Sequence, residues 1–426
     1  MKILWITNIV FPEASKFLAL PEQVFGGWLY SMADQLSSQK SIDLAIATNY
    51  TGKSFKSAEI NGKKYYFLPK ANNKKYQPWT EKYWEKICND FNPDIIDIHG
   101  TEYPRALACM KACPTRTYLV TLQGIIGKCA RYYFADISKL NIIKHITIRD
   151  ILRRDTIFQS KIKRTRNGEY EKVYLRNTKY ISGRTSWDYA YIKALNKNAK
   201  YFICHRTLRS GFYKSENWNC KTKIPFTIFL SQSQEPIKGL HKLLESINLI
   251  KKEYPQIRIR VAGNNIVKVN TMRDRFKLSG YGSYIRTLIK KFQLSQNIQF
   301  LGPLNEKQMI KEYKKAHIFV CPSSIENSPN SLGEAQLIGT PVIASYVGGV
   351  PDMIKNGETG LLYRFEEVEM LAENIRKIFN NDALAIRMSE NGIKAAEERH
   401  SIKINLNSII EIYKTIIRDN DSGTDF

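Results

Sequence analysis

HIFVCPSSIENSPNSLGEAQLIGTPVIAS, residues 317–345, is the stretch whose reading decides the fold. HIFVCPS is a short, continuously apolar run rich in β-branched and aromatic residues, as expected of a strand buried on both faces. Small polar residues follow. A helix is then predicted from about Asn330, carrying Glu334 on its first turn and ending before Gly339, where glycine suits a helix C-terminus. TPVIAS reads as the next strand. Strand, loop, helix and strand form one βαβ unit, and that connection requires a parallel sheet. FTIFLS, IRIRVAG and IQFLG repeat the pattern upstream. KILWIT, DLAIAT, KYYFLP, DIIDIH, RTYLVTL and KYFICH do so in the first half. The chain has 426 residues, and single cores stop growing at roughly 250–300. The expectation is an α/β protein with two Rossmann-like, doubly wound domains. The polar stretch GFYKSENWNCKTK, residues 211–223, marks their boundary.

Composition removes several classes. Hydrophobic residues make up 43% of the chain, and no apolar run reaches the ~18 residues of a membrane span. MKILWITNIVFPEAS begins like a signal peptide, but Thr7 and Asn8 interrupt it and no small-residue cleavage site follows. A first strand and a cytoplasmic protein are expected. Seven scattered cysteines without C-x-x-C predict reduced thiols, and no His/Cys cluster has zinc-ligand spacing, so no metal is expected.

The net charge of +25 leans toward the first half: residues 1–200 hold 33 basic against 17 acidic side chains, the remainder 32 against 23. It peaks from Ser138 to Lys179, where 12 Lys/Arg face 4 Asp/Glu, among them Arg149, Arg153, Arg154, Lys161, Lys163, Arg164 and Arg166. Ile142, Ile143, Ile146, Ile148, Ile151 and Leu152 interleave with them. Such a segment suits the anionic surface of a membrane; a solvated basic face is the alternative. No nucleic-acid motif accompanies the charge.

In the opening stretch, the amides of Asn330, Ser331 and Leu332 stand at a helix start, where unpaired N–H groups and the helix dipole favour an anion such as a diphosphate. Glu334 is placed to accept hydrogen bonds from ribose hydroxyls. Glu326, in the preceding loop, is placed to reach hydroxyls of whatever the diphosphate carries. Acidic residues also simply favour helix starts, and spacing alone leaves both readings open.

Glu326 and Glu334 with the residues between them, followed by GTPVIAS, YVGGVPDMI and NGETGLLY, resemble the Glu-x7-Glu pattern of family 4 of the retaining glycosyltransferases (glycosyl transferases group 1), which have the GT-B fold. The resemblance is close over most of the second half and weaker but collinear over the first. It implies two Rossmann-like domains facing a central cleft: an acceptor-binding domain over 1–215, a nucleotide-sugar-binding domain over 216–400, a helix over 401–418 returning to the first domain, and a disordered tail over 419–426. It also implies transfer of a sugar from a nucleotide-diphosphate sugar, as substrate and without cofactor or metal, to a glycan hydroxyl. That acceptor is expected to be lipid-linked, in surface polysaccharide (capsule) biosynthesis, with peripheral attachment at the inner face of the plasma membrane.

Site residues carry over one by one. EPIKGL supplies Lys238 for the donor phosphates, but Gln232 stands where the family has a second cation. Gly26 and Gly27, in FGGW, match the glycine loop near donor and acceptor. His99, ending DIIDIH, matches a histidine near the donor sugar. His99, Lys238 and Glu326 are the expected catalytic residues. Gln123, in TLQG, and Arg184, in GRTSWDYAYIKALN with Trp187 and Asp188, are acceptor-side candidates. Two other functions fit the same chain, a sugar-nucleotide epimerase and a non-catalytic basic binding protein. A dinucleotide oxidoreductase does not, because its G-x-G-x-x-G turn is missing after the first strand.

Overall fold

The computed structural model describes residues 1–21, 26–71 and 76–422. Phe25 of FGGW and residues 423–426 of the tail lie outside these. The chain divides into two compact units, the first comprising Met1–Gly127, Arg166–Leu208 and His400–Phe426, the second Lys128–Thr165 and Arg209–Arg399. Of the basic segment Ser138–Lys179, grouped by sequence with the N-terminal domain, residues 138–165 are thus counted with the second unit and residues 166–179 with the first.

The first unit holds strands β1 (Lys2–Thr7), β2 (Asp43–Asn49), β3 (Lys56–Ile60), β4 (Lys63–Leu68), β5 (Ile95–His99), β6 (Tyr118–Thr121), β7 (Tyr180–Gly183) and β8 (Lys200–Ile203), in the order 3-4-2-1-5-6-7-8. All neighbours are parallel except β3 and β4. Side chains alternate across a strand, so Leu4 and Ile6 of β1 enter one apolar cluster while Ile3 and Trp5 enter another on the opposite face. The second cluster is completed by Ile409, Ile412, Tyr413 and Ile416 of the helix Ile402–Asp421. That helix runs three residues beyond the expected end at 418, into the segment expected to be disordered.

The second unit holds β9 (Thr227–Leu230), β10 (Arg258–Val261), β11 (Ile298–Phe300), β12 (Ile318–Cys321), β13 (Val342–Ser345) and β14 (Leu361–Tyr363), ordered 11-10-9-12-13-14 and parallel throughout. β9 and β12 are buried at every position, which explains their unbroken apolar runs. The strand order reverses between β9 and β12, and in such sheets ligands bind beyond the carboxyl ends of the strands at that reversal. The first unit reverses likewise between β1 and β5. Among the described residues no helix is long and apolar enough to cross a membrane.

Candidate functional site

In the second unit the two sides of the reversal meet through one ion pair. Lys238, on the short turn after β9, places Nζ 2.6 Å from Oε1 of Glu326, in the loop after β12. Ser323 Oγ donates to the same carboxylate oxygen at 2.8 Å, and Gly349 N–H holds the Glu326 carbonyl at 3.0 Å. The approach depends on Gly239. Its φ is +72°, and a Cβ there would stand 1.6 Å from the Pro322 carbonyl oxygen, so only glycine lets the β9 loop lie against the end of β12. Burial works against the charge on Lys238, but the Glu326 carboxylate outweighs it and the ammonium pKa is raised. Lys238 is a fixed cation at the seat expected for phosphate.

The helix Asn330–Ile338 follows, with Pro329 as its N-cap and no side chain capping it. The N–H groups of Leu332 and Gly333 both turn back to the Pro329 carbonyl, at 3.0 and 3.3 Å. Leu332, expected among the free amides, is therefore engaged. Asn330 and Ser331 keep N–H groups that precede the helix's own bonding. Gln232, in the loop after β9, is exposed.

Glu334 has a partner that sequence reading missed. Arg209 grips it with two bonds, Nε to Oε1 and Nη2 to Oε2, both 2.8 Å, and Tyr313 O–H approaches Oε2 at 3.3 Å while donating to the Ser331 carbonyl at 3.0 Å. Burial raises the Glu334 pKa, against the pull of Arg209. An ionised carboxylate offers about four acceptor positions. Among the described residues Arg209 takes two, and Tyr313, whose single proton is shared with the Ser331 carbonyl, partly takes a third, which leaves one.

In the first unit the candidates cluster at the carboxyl ends of β1, β5, β6 and β7. Gly26 (φ +85°) is the N-cap of the helix Gly27–Ser37, and a Cβ on it would meet Ile9 Cδ1 at 2.1 Å. Gln123 Nε2 donates to the His99 carbonyl at 3.2 Å, and the Gln123 carbonyl accepts from Arg184 Nη2. Asp188 caps the chain at Arg184, taking its N–H at 3.0 Å. Sequence reading passed over Arg206, whose guanidinium lies 3.5 Å from the Trp28 ring centroid, and Glu102, whose Oε2 accepts from Asn8 Nδ2 at 3.1 Å.

His99 is buried, its ring 4.1 Å from that of Trp5 and its two ring nitrogens without a hydrogen-bond partner among the described residues. Nε2 lies 3.4 Å from Asp97 Oδ2 without hydrogen-bond geometry. Burial, then the Arg206 charge, hold the His99 pKa well below its ordinary value, so its imidazole is neutral at pH 7. Beneath it runs a buried chain: Trp5 Nε1–H donates to Tyr413 Oη at 2.8 Å, and Tyr413 O–H to Asp97 Oδ2 at 2.7 Å. Thr121 Oγ1–H donates to Asp97 Oδ1 at 2.6 Å.

Burial pushes the Asp97 carboxyl up to about 7, against the hydrogen bonds from Thr121 and Tyr413. Between the unfolded value of about 3.9 and this one, the folded chain holds a proton that the unfolded chain has lost. The contribution of Asp97 to stability therefore falls as pH rises across that interval. The melting temperature of the wild type, measured relative to Asp97→Asn, is expected to drop between about pH 4 and pH 7. His241 and His317, lowered to about 4 by burial, act in the opposite sense and cancel in the difference. A flat difference means that Asp97 is ionised throughout that range.

Two Rossmann-like sheets, each with a reversed strand order, define the GT-B fold class, and the second carries a cation and helix amides at its reversal. Residues 214–395, less than half of the chain, match the family described as Glycosyl transferases group 1. The Staphylococcus aureus capsular polysaccharide biosynthesis glycosyltransferase CapM is 26% identical over 184 residues, 43% of this chain and 44% of its own length. The D-inositol 3-phosphate glycosyltransferase of Corynebacterium glutamicum (strain R) is 33% identical over 164 residues, 38% of this chain and 37% of its own. The matches span less than half the length of these relatives. Sucrose-phosphate synthase from Thermosynechococcus elongatus shares the fold, with a TM-score of 0.71 over 98% of this chain and 100% of that one at 16% identity. So does Anabaena HepE, solved in complex with UDP and glucose, at 0.64 over 97% and 100% with 14% identity.

Proposed function

We propose that the protein is a retaining, metal-independent glycosyltransferase of family 4, transferring a sugar from a nucleoside-diphosphate sugar to a hydroxyl of a lipid-linked glycan during surface polysaccharide biosynthesis on the cytoplasmic side of the membrane. The observation that carries this reading is the Lys238–Glu326 pair across the β9/β12 reversal, one loop ahead of the Asn330 and Ser331 amides. The role of CapM in capsular polysaccharide biosynthesis supports the choice of pathway, and the UDP and glucose bound by HepE support the choice of donor.

As the bond from anomeric carbon to phosphate oxygen breaks, negative charge grows on the leaving diphosphate. Fixed donors facing that charge lower the barrier, because they strengthen as it develops and need no reorganisation. Lys238 and the two amides take this part. The acceptor oxygen bonds to the anomeric carbon on the face the phosphate leaves, and the acceptor proton passes to the departing phosphate oxygen. Glu326 holds Lys238 and receives donor-sugar hydroxyls.

Incubating the protein with UDP- and GDP-sugars and a lipid-linked acceptor, with EDTA present, tests the reading. A new α- or β-glycoside of the donor's own configuration is expected. Conversion of a UDP-sugar to its epimer without acceptor would identify an isomerase instead. In the same reading the one open acceptor position of Glu334 takes a ribose hydroxyl. Glu334→Gln is expected to weaken UDP or GDP binding by about 1.5–3 kcal/mol in calorimetry, the scale of a hydrogen bond to a charged group. Unchanged affinity for both would remove Glu334 from the nucleotide site.

A further inference from the structure

The helices Lys139–Lys144 and Ile148–Arg153 are fastened to the second unit by one side only. Ile142 is buried, and His145 places Nε2 3.2 Å from Thr287 Oγ1. Thr147 Oγ1–H donates to the Leu278 carbonyl at 2.8 Å. Asp150, buried, accepts the Gly280 N–H at 2.7 Å, which pins the second helix to the start of the helix Gly280–Lys291.

The other side carries apolar side chains with nothing over them. Leu140 is 79% exposed, Ile143 57%, Ile148 63%, Ile151 63% and Leu152 74%. Ile148, Ile151 and Leu152 stand at i, i+3 and i+4, which puts them on one helix face. Large apolar groups this exposed are ordinary when scattered, but a cluster within thirteen residues marks a contact surface. Lys139, Lys144, Arg153 and Arg154 border it, all exposed and without an ion-pair partner among the described residues.

The charge expected from sequence across Ser138–Lys179 is thereby narrowed. Arg149 is held by Asp150 and Asp155, and Arg164 by Glu235 at 2.5 Å, so neither is available to a partner. Farther along, Asn167, Gly168, Glu171, Tyr174 and Leu175 of the helix Ile157–Asn177 are buried in the first unit.

We propose that residues 139–154 seat on an anionic lipid leaflet, with the five exposed aliphatic side chains entering the boundary between headgroups and acyl chains. The four bordering cations lie at headgroup level. A basic rim around an apolar centre matches a leaflet, which offers negative charge at its surface and hydrocarbon just beneath. The inference deepens the proposed function and rests on it for its meaning: a lipid-linked acceptor presents its glycan at that same surface. Because aliphatic burial is not screened by salt whereas charge attraction is, the two contributions separate experimentally.

The test is co-sedimentation of the full chain with phosphatidylcholine vesicles, with and without phosphatidylglycerol, at low salt and at about 1 M NaCl, where the Debye length is ~3 Å. The wild type is expected to bind the anionic vesicles tightly at low salt and to keep a measurable fraction bound at high salt. Ile148→Gln/Ile151→Gln/Leu152→Gln, at exposed positions and checked for an unchanged melting temperature, is expected to lose the salt-resistant fraction and at least about tenfold in low-salt affinity. Lys139→Gln/Lys144→Gln/Arg153→Gln/Arg154→Gln is expected to lose the preference for phosphatidylglycerol. Full binding by the apolar variant overturns the proposal, as does failure of the wild type to bind anionic vesicles at low salt. Self-association of the wild type that the apolar variant abolishes, without vesicle binding, overturns it too and makes the patch a protein interface. Nucleotide-sugar turnover measured in parallel with a detergent-dispersed acceptor keeps the two readings apart: vesicle binding without turnover defeats the proposed function alone, and turnover without vesicle binding defeats the docking surface alone.

Discussion

Lys238→Ala is expected to lower kcat by about 10²–10³-fold, the effect of removing one preorganised donor from a developing oxyanion, while the KM for the donor changes far less. The asymmetry follows from timing. The ground-state diphosphate already carries its charges and shares them with solvent and the helix amides, whereas the charge that grows on bond cleavage faces the ammonium most directly. A control is needed, because the substitution also strands Glu326, whose side chain is 15% exposed and would keep, among the described residues, only Ser323 as donor. That loss is expected to cost about 1–3 kcal/mol of stability. Lys238→Ala/Glu326→Gln should recover most of the stability and none of the turnover. Steady-state kinetics with urea denaturation of both variants decides the matter. A Lys238→Ala enzyme within about threefold of wild-type kcat excludes the lysine from the chemical step.

Arg209→Ala is expected to destabilise the second unit by about 3–5 kcal/mol, because it leaves a buried carboxylate without its counter-charge. Glu334 would retain only the Tyr313 hydroxyl at 3.3 Å. Burial already raises the Glu334 pKa, and loss of Arg209 raises it further. The folded variant then holds a proton that its unfolded chain releases, so the penalty should be smaller at pH 5 and grow toward pH 8. Arg209→Lys keeps the charge but not the fork and should recover only part. Urea midpoints at the two pH values give the answer. Equal, small losses at both would mean that the pair is not buried in solution.

Both effects turn on contacts that no local pattern announces, and this separates what was readable in the sequence from what was not. β1, β2, β4 to β6, β8, β9, β12 and β13 contain apolar runs, whereas β10 and β11 were read from the alternating stretches IRIRV and IQF. β7 was missed because YISG turns polar after two apolar residues, and β3 because KSAEI is largely polar and forms an antiparallel edge strand; LLY of β14 ends NGETGLLY, which was read for its motif and not as a strand. Helix Asn330–Ile338 was legible from its small-residue start and the glycine after it. Arg209 was not, since 125 residues separate it from Glu334 and HRTLRS has neither period nor motif. The same holds for Asp97 and Tyr413, 316 residues apart. In the basic segment the spacing of aliphatic residues specifies which face of a helix is apolar but not what covers that face. Four of the six interleaved aliphatics, Ile143, Ile148, Ile151 and Leu152, accordingly face outward.

The helix Ile402–Asp421 carries an implication for how the chain is made. Translation runs from N- to C-terminus, and domains commonly fold in that order as they emerge. Here the sheet built around β1 stays unfinished until Ile402–Asp421 is made: Tyr413 is the hydroxyl that joins Trp5 to Asp97, and Ile409, Ile412 and Ile416 close the face lined by Ile3 and Trp5. The whole of Arg209–Arg399 is synthesised in between. The nascent first unit therefore waits with an open apolar face while the second, whose strands β9 to β14 are contiguous in the chain, assembles ahead of it.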